Sequence, residues 1–97
     1  MRRAARVDAT QAEVVATFRG LGWGVLDLAR LGGGVPDLVA VSPDGQRTLW
    51  CEVKAPGGKL RPAQVEWAAR WPATVHVLRG RDEVLALVGV REEARVG

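Results

Sequence analysis

Apolar residues recur at helical spacing in the first part of the chain. Between Val7 and Leu21 they fall three and four positions apart, which predicts a helix from Asp8 to about Leu21. Asp8 or Thr10 is the predicted N-cap, since short polar side chains accept hydrogen bonds from the first free backbone N–H groups. Gly20 and Gly22 end this helix.

Beyond this helix, shorter apolar runs between glycine and proline residues predict four strands. These strands cover residues 23–28, 37–41, 48–54 and 74–78. The second strand is apolar throughout and is expected to be buried on both faces. A helix from Pro62 to Trp71 separates the third and fourth strands, and a last helix runs from Arg81 or Asp82 to about Leu87. The order α-β-β-β-α-β-α predicts an α/β fold, with a mixed sheet flanked by helices.

Length and composition limit the class of protein. The 97 residues suit a single domain, residues 1–97, with a core of about 8–88 and a flexible tail at 89–97. Cys51 is the only cysteine, which excludes an internal disulfide and a cysteine-rich zinc site. No apolar stretch reaches membrane-spanning length and no signal-peptide core follows the N-terminal arginines. We therefore expect a cytoplasmic protein with no membrane partner.

Most of the basic residues are arginines, and lysines are rare. The net charge is +3, so a polyanionic partner is expected. The cations comprise twelve arginines but only two lysines, Lys54 and Lys59. A lysine is a compact, tunable charge, whereas an arginine keeps its proton. Lys54 is therefore informative, although without Asp37 and Glu52 it would be better explained as a solubilising charge at a strand end.

Two carboxylates and this lysine are predicted to converge at one end of the sheet. The turn at residues 42–45 makes the second and third strands an antiparallel hairpin, in which Val41 lies opposite Thr48. The same register places Asp37 beside Glu52. Lys54 shares the face of Glu52 because side chains alternate along a strand.

Such a cluster suits a hard divalent cation. Mg²⁺ or Mn²⁺ prefers oxygen ligands, which Asp37, Glu52 and the backbone carbonyl of Val53 can supply. A cation held there can activate water and neutralise charge on a phosphate. The competing interpretation is a solvated surface pair, but two like charges at a strand end would raise each other's pKa and cost stability.

Two neighbouring features allow more than one interpretation. The glycines at residues 32–34 precede Pro36 and form either a flexible turn or a close backbone approach to a neighbour or a phosphate. Gln64, Trp67 and Trp71 form one helical stripe. The tryptophans are interpreted as core in preference to a base-stacking surface. Gln64 is either a satisfied buried amide or a partner of Lys54 or of the attacking water.

These residues resemble a known motif. Pro36-Asp37, followed by Glu52-x-Lys54, matches PD-(D/E)xK, and the element order is similar to the restriction-endonuclease-like core of that nuclease superfamily. The segments 34–41, 50–54 and 60–64 resemble the VRR-NUC domain, including its standalone phage-borne members, and the archaeal Holliday junction resolvases. The resemblance covers roughly residues 8–88.

The resemblance implies an Mg²⁺- or Mn²⁺-dependent endodeoxyribonuclease that prefers branched DNA, such as flaps or four-way junctions, and often acts as a homodimer. Asp37 and Glu52 would then bind metal, Lys54 would position water or stabilise the transition state, and Gln64 would match the glutamine after Glu-x-Lys. A phage-borne protein of this kind would act in the host cytoplasm. Related nucleases often add a carboxylate from the first helix. Here the helical wheel favours Gln11, supported by Asp8, over Glu13.

The remaining candidates concern DNA. Arg30, Gly33, Lys59 and Arg61 lie near the predicted site and are expected to contact the DNA backbone, although any single basic residue is also explained as a surface charge. The leading hypothesis is a metal-dependent, structure-selective DNA endonuclease. The alternative is a non-catalytic DNA-binding module on a nuclease fold. A sequence-specific restriction enzyme is a third hypothesis, but the chain has no room for a separate recognition domain.

Overall fold

A long helix opens the chain. The structure is a computed structural model that describes residues 2–90 of the backbone and the side chains from residue 8 onward, and its first helix, α1, spans Arg2–Gly20. The predicted start at Asp8, with Asp8 or Thr10 as N-cap, is therefore wrong. Residues 2–6 are all arginine or alanine, which favour helix. The apolar spacing used for the prediction begins only at Val7.

The remaining elements follow the predicted order, and each predicted strand contains the observed one. They are β1 (Gly24–Asp27), β2 (Leu38–Val41), β3 (Thr48–Val53), α2 (Pro62–Arg70), β4 (Val75–Leu78) and α3 (Arg81–Val88). Of the predicted flexible tail at 89–97, residues 91–97 lie outside the described residues.

The four strands form one mixed sheet in the order β1-β2-β3-β4. The first three are antiparallel neighbours, whereas β4 runs parallel to β3, with α2 as the crossover between them. In the central hairpin Val41 lies opposite Thr48 and Leu38 lies opposite Cys51. The predicted α/β fold and hairpin register are confirmed.

The main core lies between one face of the sheet and the helices α1 and α3. Alternate residues of β2 and β3 point into it, as strand periodicity requires. Helix α1 contributes Val14 and Phe18, and α3 contributes Val84. The buried apolar strand residues of this core are Leu38, Ala40, Leu49, Cys51, Val53 and Leu78.

Helix α2 packs on the opposite face through tryptophans. Trp71 meets Trp50 of β3 edge to face at 4.8 Å and stacks on Trp67 at 4.6 Å between ring centroids. All three are half-buried. Val39 and Val41 on this face of β2 are also only half-buried, so the expected burial of β2 on both faces is wrong. The nine residues of α2 extend about 14 Å, too short to cover a four-stranded sheet.

Within residues 2–90 no helix is both long and apolar enough to cross a membrane.

Candidate active site

Asp37 lies where β2 begins and is held from both sides. Its carbonyl oxygen accepts the Leu28 N–H at 2.7 Å, which ties it to the end of β1. Its Oδ2 accepts the Val53 N–H at 2.8 Å across the hairpin. Pro36 precedes it and is buried, and its ring fixes the backbone leading into the strand. The carboxylate is therefore placed by backbone contacts to two strands.

Glu52 is almost completely buried, with 2% of its surface exposed. Two donors reach the same carboxylate oxygen, Oε2. The Lys54 ammonium lies 3.6 Å from it, and the Gln64 amide donates a hydrogen bond to it. The structure thus brings Glu52, Lys54 and Gln64 together beside Asp37.

The surroundings of Glu52 favour its protonated form. Burial, followed by the charge of Asp37 and a hydrogen bond with it, raises the pKa of Glu52 from 4.5 to about 7, although Lys54 acts in the opposite direction. A carboxylate with a pKa near neutrality, beside a second carboxylate, is characteristic of functional sites.

Gln64 is a satisfied buried amide. Its Oε1 accepts the Arg61 N–H at 2.8 Å at the start of α2. Because the carbonyl end is occupied, the NH₂ end faces Glu52. Of the two interpretations from sequence, the buried amide describes this structure, and a contact to the attacking water stays a prediction.

The donor set fits a small hard cation. The described side chains contain no group of three or more histidine, cysteine or acidic residues placed to hold a metal. Mg²⁺, however, is commonly bound by one or two carboxylates, with substrate phosphate and water completing its shell. Asp37 and the buried Glu52 form such a pair, and a cation between them would relieve their repulsion.

The candidates on the first helix contact β1 and the start of α3. The Gln11 amide donates to Asp27 Oδ2 at 3.4 Å, at the end of β1. Asp8 is exposed and lies with Gln11 in an open groove between α1 and residues 27–31. Glu13 instead accepts the Arg81 N–H at 3.2 Å and so anchors the start of α3. The role of Gln11 and Asp8 toward a metal stays a prediction.

The candidates for DNA contact lie on loops around the site. Arg30, Gly33, Lys59 and Arg61 are all exposed. Sequence reasoning missed Arg79, which donates to the Gly58 carbonyl at 2.9 Å. This bond fixes the loop that carries two of the basic candidates. No local pattern marked Arg79, because it is the tertiary fold that brings the end of β4 next to this loop.

The glycines at residues 32–34 differ in how closely a neighbouring segment approaches them. Gly32, Gly33 and Gly34 all have positive φ, at 67°, 64° and 88°. A Cβ at either of the first two would meet nothing within 4 Å, whereas one on Gly34 would lie 2.2 Å from the carbonyl oxygen of Ala63. Of the two interpretations from sequence, the close backbone approach applies at Gly34, and the neighbour is α2.

Comparisons with known proteins agree with this fold. The VRR-NUC domain model matches residues 5–81. A solved structure described as a VRR_NUC domain is 28% identical, with a TM-score of 0.68, covering 87% of this chain and 95% of its own. No curated protein matches the chain. On the family match, supported by the fold and the Asp37–Glu52–Lys54 arrangement, this chain belongs to the VRR-NUC domain family of nuclease-type, DNA-processing modules.

Proposed function

We propose that this protein is a metal-dependent endodeoxyribonuclease. The observation that carries the proposal is the placement of Glu52, buried beside Asp37 with Lys54 and Gln64 on one of its oxygens. Burying a carboxylate next to another costs stability, and such costly arrangements are concentrated at functional sites. A cation and a phosphodiester are the groups that would make use of this arrangement.

Each residue has a distinct proposed part. Asp37, Glu52 and the Val53 carbonyl would hold Mg²⁺ or Mn²⁺, which supplies Lewis acidity toward water and phosphate when bound. Lys54, whose side chain is 14% exposed, would present its ammonium to the attacked phosphate or position water. Gln64 orients Glu52 through the amide that Arg61 fixes.

The proposed substrate is DNA with a branched structure, such as a flap or a four-way junction, and the proposed active form is a homodimer in the cytoplasm. Family membership supports DNA, and the net charge of +3 with the exposed Arg30, Lys59 and Arg61 suits phosphate contacts. Resemblance to junction resolvases supports the branched substrate. Leu26 and Leu31, 63% and 67% exposed, leave apolar surface that a second copy could cover.

Replacement of Asp37 by asparagine tests the nuclease assignment. Asparagine still offers an oxygen to the Val53 N–H, so Asp37→Asn should keep the fold while losing the metal-binding charge. We expect at least about a 100-fold loss of Mg²⁺- or Mn²⁺-dependent nicking of supercoiled plasmid, and no nicking of any kind in excess chelator. The matched control is Asp82→Asn, since that side chain is 98% exposed on α3.

Full metal-dependent cleavage by Asp37→Asn would reject the assignment. A panel of linear duplex, flap and four-way junction substrates tests the structural preference, and equal cleavage of all three would reject it. Sedimentation of the protein alone tests the homodimer.

The non-catalytic DNA-binding module is the second candidate. It is favoured by the first helix, where Gln11 is hydrogen-bonded to Asp27 and adds no negative charge to the Asp37–Glu52 pair. This candidate would be supported if the wild-type protein bound DNA tightly and in a salt-sensitive way but did not nick it in Mg²⁺ or Mn²⁺.

A further inference from the structure

We propose that Gly34 is a positioning residue that sets where α2 meets the active site. The absence of a side chain at Gly34 lets the loop before Asp37 lie directly against the first turn of α2, and this contact determines how Gln64 reaches Glu52. The inference rests on the proposed nuclease function and adds a residue that touches none of the reacting groups.

The contact at Gly34 leaves no room for a side chain. A Cβ there would lie 2.2 Å from the carbonyl oxygen of Ala63, 2.8 Å from its carbonyl carbon and 3.1 Å from Trp67 Cβ. The two nearest atoms belong to the backbone of α2, so no side-chain rotation can relieve the overlap. A larger residue must displace either the loop or the helix.

The loop is constrained where it enters β2. Pro36 is buried, and Asp37 is held by hydrogen bonds to Leu28 and Val53. Only Val35 and Pro36 separate Gly34 from Asp37, and the proline ring restricts the backbone between them. Displacement at Gly34 would therefore be taken up chiefly by α2.

Movement of α2 acts directly on Gln64, which follows Ala63 in the chain. The Gln64 carbonyl is fixed to the Arg61 N–H of the same helix turn, so its side chain moves with the helix. Its NH₂ group would then withdraw from Glu52 Oε2. A hydrogen bond deep in the site thus depends on a glycine in a surface loop.

The neighbouring glycine offers a matched control. Gly32 also has positive φ, at 67° against 88° for Gly34, but a Cβ on it would meet nothing within 4 Å. Gly32→Ala and Gly34→Ala therefore share the backbone strain of alanine at positive φ, and only Gly34→Ala adds the clash with α2.

The experiment compares these two variants with the wild-type protein. We expect both to lower the thermal unfolding temperature, and only Gly34→Ala to lower kcat in Mg²⁺-dependent DNA cleavage, by about 100-fold, with KM for DNA unchanged. An equal fall in kcat for both variants, or a change confined to KM, would overturn the proposal.

A second readout does not depend on cleavage. In nuclear magnetic resonance spectra, the Gln64 side-chain amide protons should exchange slowly with solvent in the wild-type protein and in Gly32→Ala, and rapidly in Gly34→Ala. Retained slow exchange in Gly34→Ala would overturn the proposal. A wild-type protein that does not cut DNA would reject the nuclease function alone, because this readout still decides the part played by Gly34.

Should Gly34→Ala not fold, the wild-type spectra carry the test. Nuclear Overhauser contacts from the Gly34 Hα protons to Ala63 and Trp67, together with slow exchange of the Gln64 amide, would uphold the proposal. The lack of either would overturn it.

Discussion

Glu52 is buried and lies beside a second carboxylate, Asp37. Protonation of Glu52 removes both the cost of burying its charge and the repulsion from Asp37. The pKa of Glu52 rises from 4.5 to about 7 on folding. Between these two values the folded state keeps the proton that the unfolded state has lost, so stability falls as the pH rises from about 4.5 to 7 and stays at the lower level above it. This pKa shift corresponds to a loss of about 3 kcal/mol in the free energy of unfolding between low and high pH.

Glu52→Gln should therefore stabilise the metal-free protein in a pH-dependent way. At pH 8 we expect its free energy of unfolding to exceed that of the wild type by up to about 3 kcal/mol, because the amide removes a buried charge. At pH 4 the two should be nearly equal, since Glu52 is then protonated. Urea denaturation in chelator measures both values.

The control for this comparison is Glu66→Gln, since Glu66 lies on the surface of α2 and is 75% exposed. It should change stability little at either pH. A gain for Glu52→Gln that is as large at pH 4 as at pH 8 would contradict the raised pKa. The same variant should lose DNA cleavage, so that stability and activity change in opposite directions.

At the scale of elements, α3 is attached to the rest of the fold at both ends. Its start is held by Glu13, and its end by Arg47 of the hairpin loop. The Arg47 guanidinium donates to the carbonyl oxygens of Leu87 and Val88, each at 3.2 Å, and lies 5.4 Å from the centre of the Trp23 ring. A cation that donates to the last carbonyls of a helix also complements its dipole.

Arg47→Met should lower the free energy of unfolding by about 1–2 kcal/mol, because methionine keeps an apolar stem but loses both hydrogen bonds and the cation–π contact. Chemical denaturation measures the change. The site is remote from these contacts, so cleavage per folded molecule should stay the same.

Arg70→Met provides the comparison. Arg70 lies 4.0 Å from Glu66, and both side chains are more than two-thirds exposed. An exposed pair of this kind contributes about 0.5 kcal/mol or less. Equal losses for Arg47→Met and Arg70→Met would show that the contacts to α3 contribute nothing.

At the scale of the whole molecule, the distribution of charge and the positions of the helices determine which surface is available to DNA. The two helices of the main core cover one face of the sheet, whereas α2 lies on the other beside the site. Lys59 lies on the loop between Lys54 and α2, and Arg79 holds that loop in place through Gly58. A basic loop fixed next to the carboxylates would guide a phosphate backbone toward them.

Lys59→Ala should weaken DNA binding to all sequences alike and reduce the slope of log K against log salt by about 0.9, the value for one lost phosphate contact. Fluorescence anisotropy over a range of salt concentrations measures the slope. Cleavage at saturating DNA should not change. Arg47→Met, in the hairpin loop at the opposite end of β3 from Lys54, should leave the slope unaltered. An unchanged slope in Lys59→Ala would remove Lys59 from the interface.

Local rules were sufficient for the hairpin and its carboxylates. Period-two alternation puts Glu52 and Lys54 on one face of β3. The turn at residues 42–45 sets a register that brings Asp37 to Glu52, because pairing in a short hairpin follows from its turn. The fold class followed in the same way from the order of periodic segments.

The tertiary structure alone decided the features that depend on contacts between distant segments. Three such features are the approach of Gly34 to α2, the orientation of the Gln64 amide toward Glu52, and the pairing of Gln11 with Asp27. Each connects segments that are far apart in the chain, so no local sequence periodicity predicts it. Sequence thus determined that two carboxylates and a lysine share one end of the sheet. Packing determined how deeply Glu52 is buried, and so how strongly it holds its proton, because desolvation depends on the whole surrounding fold.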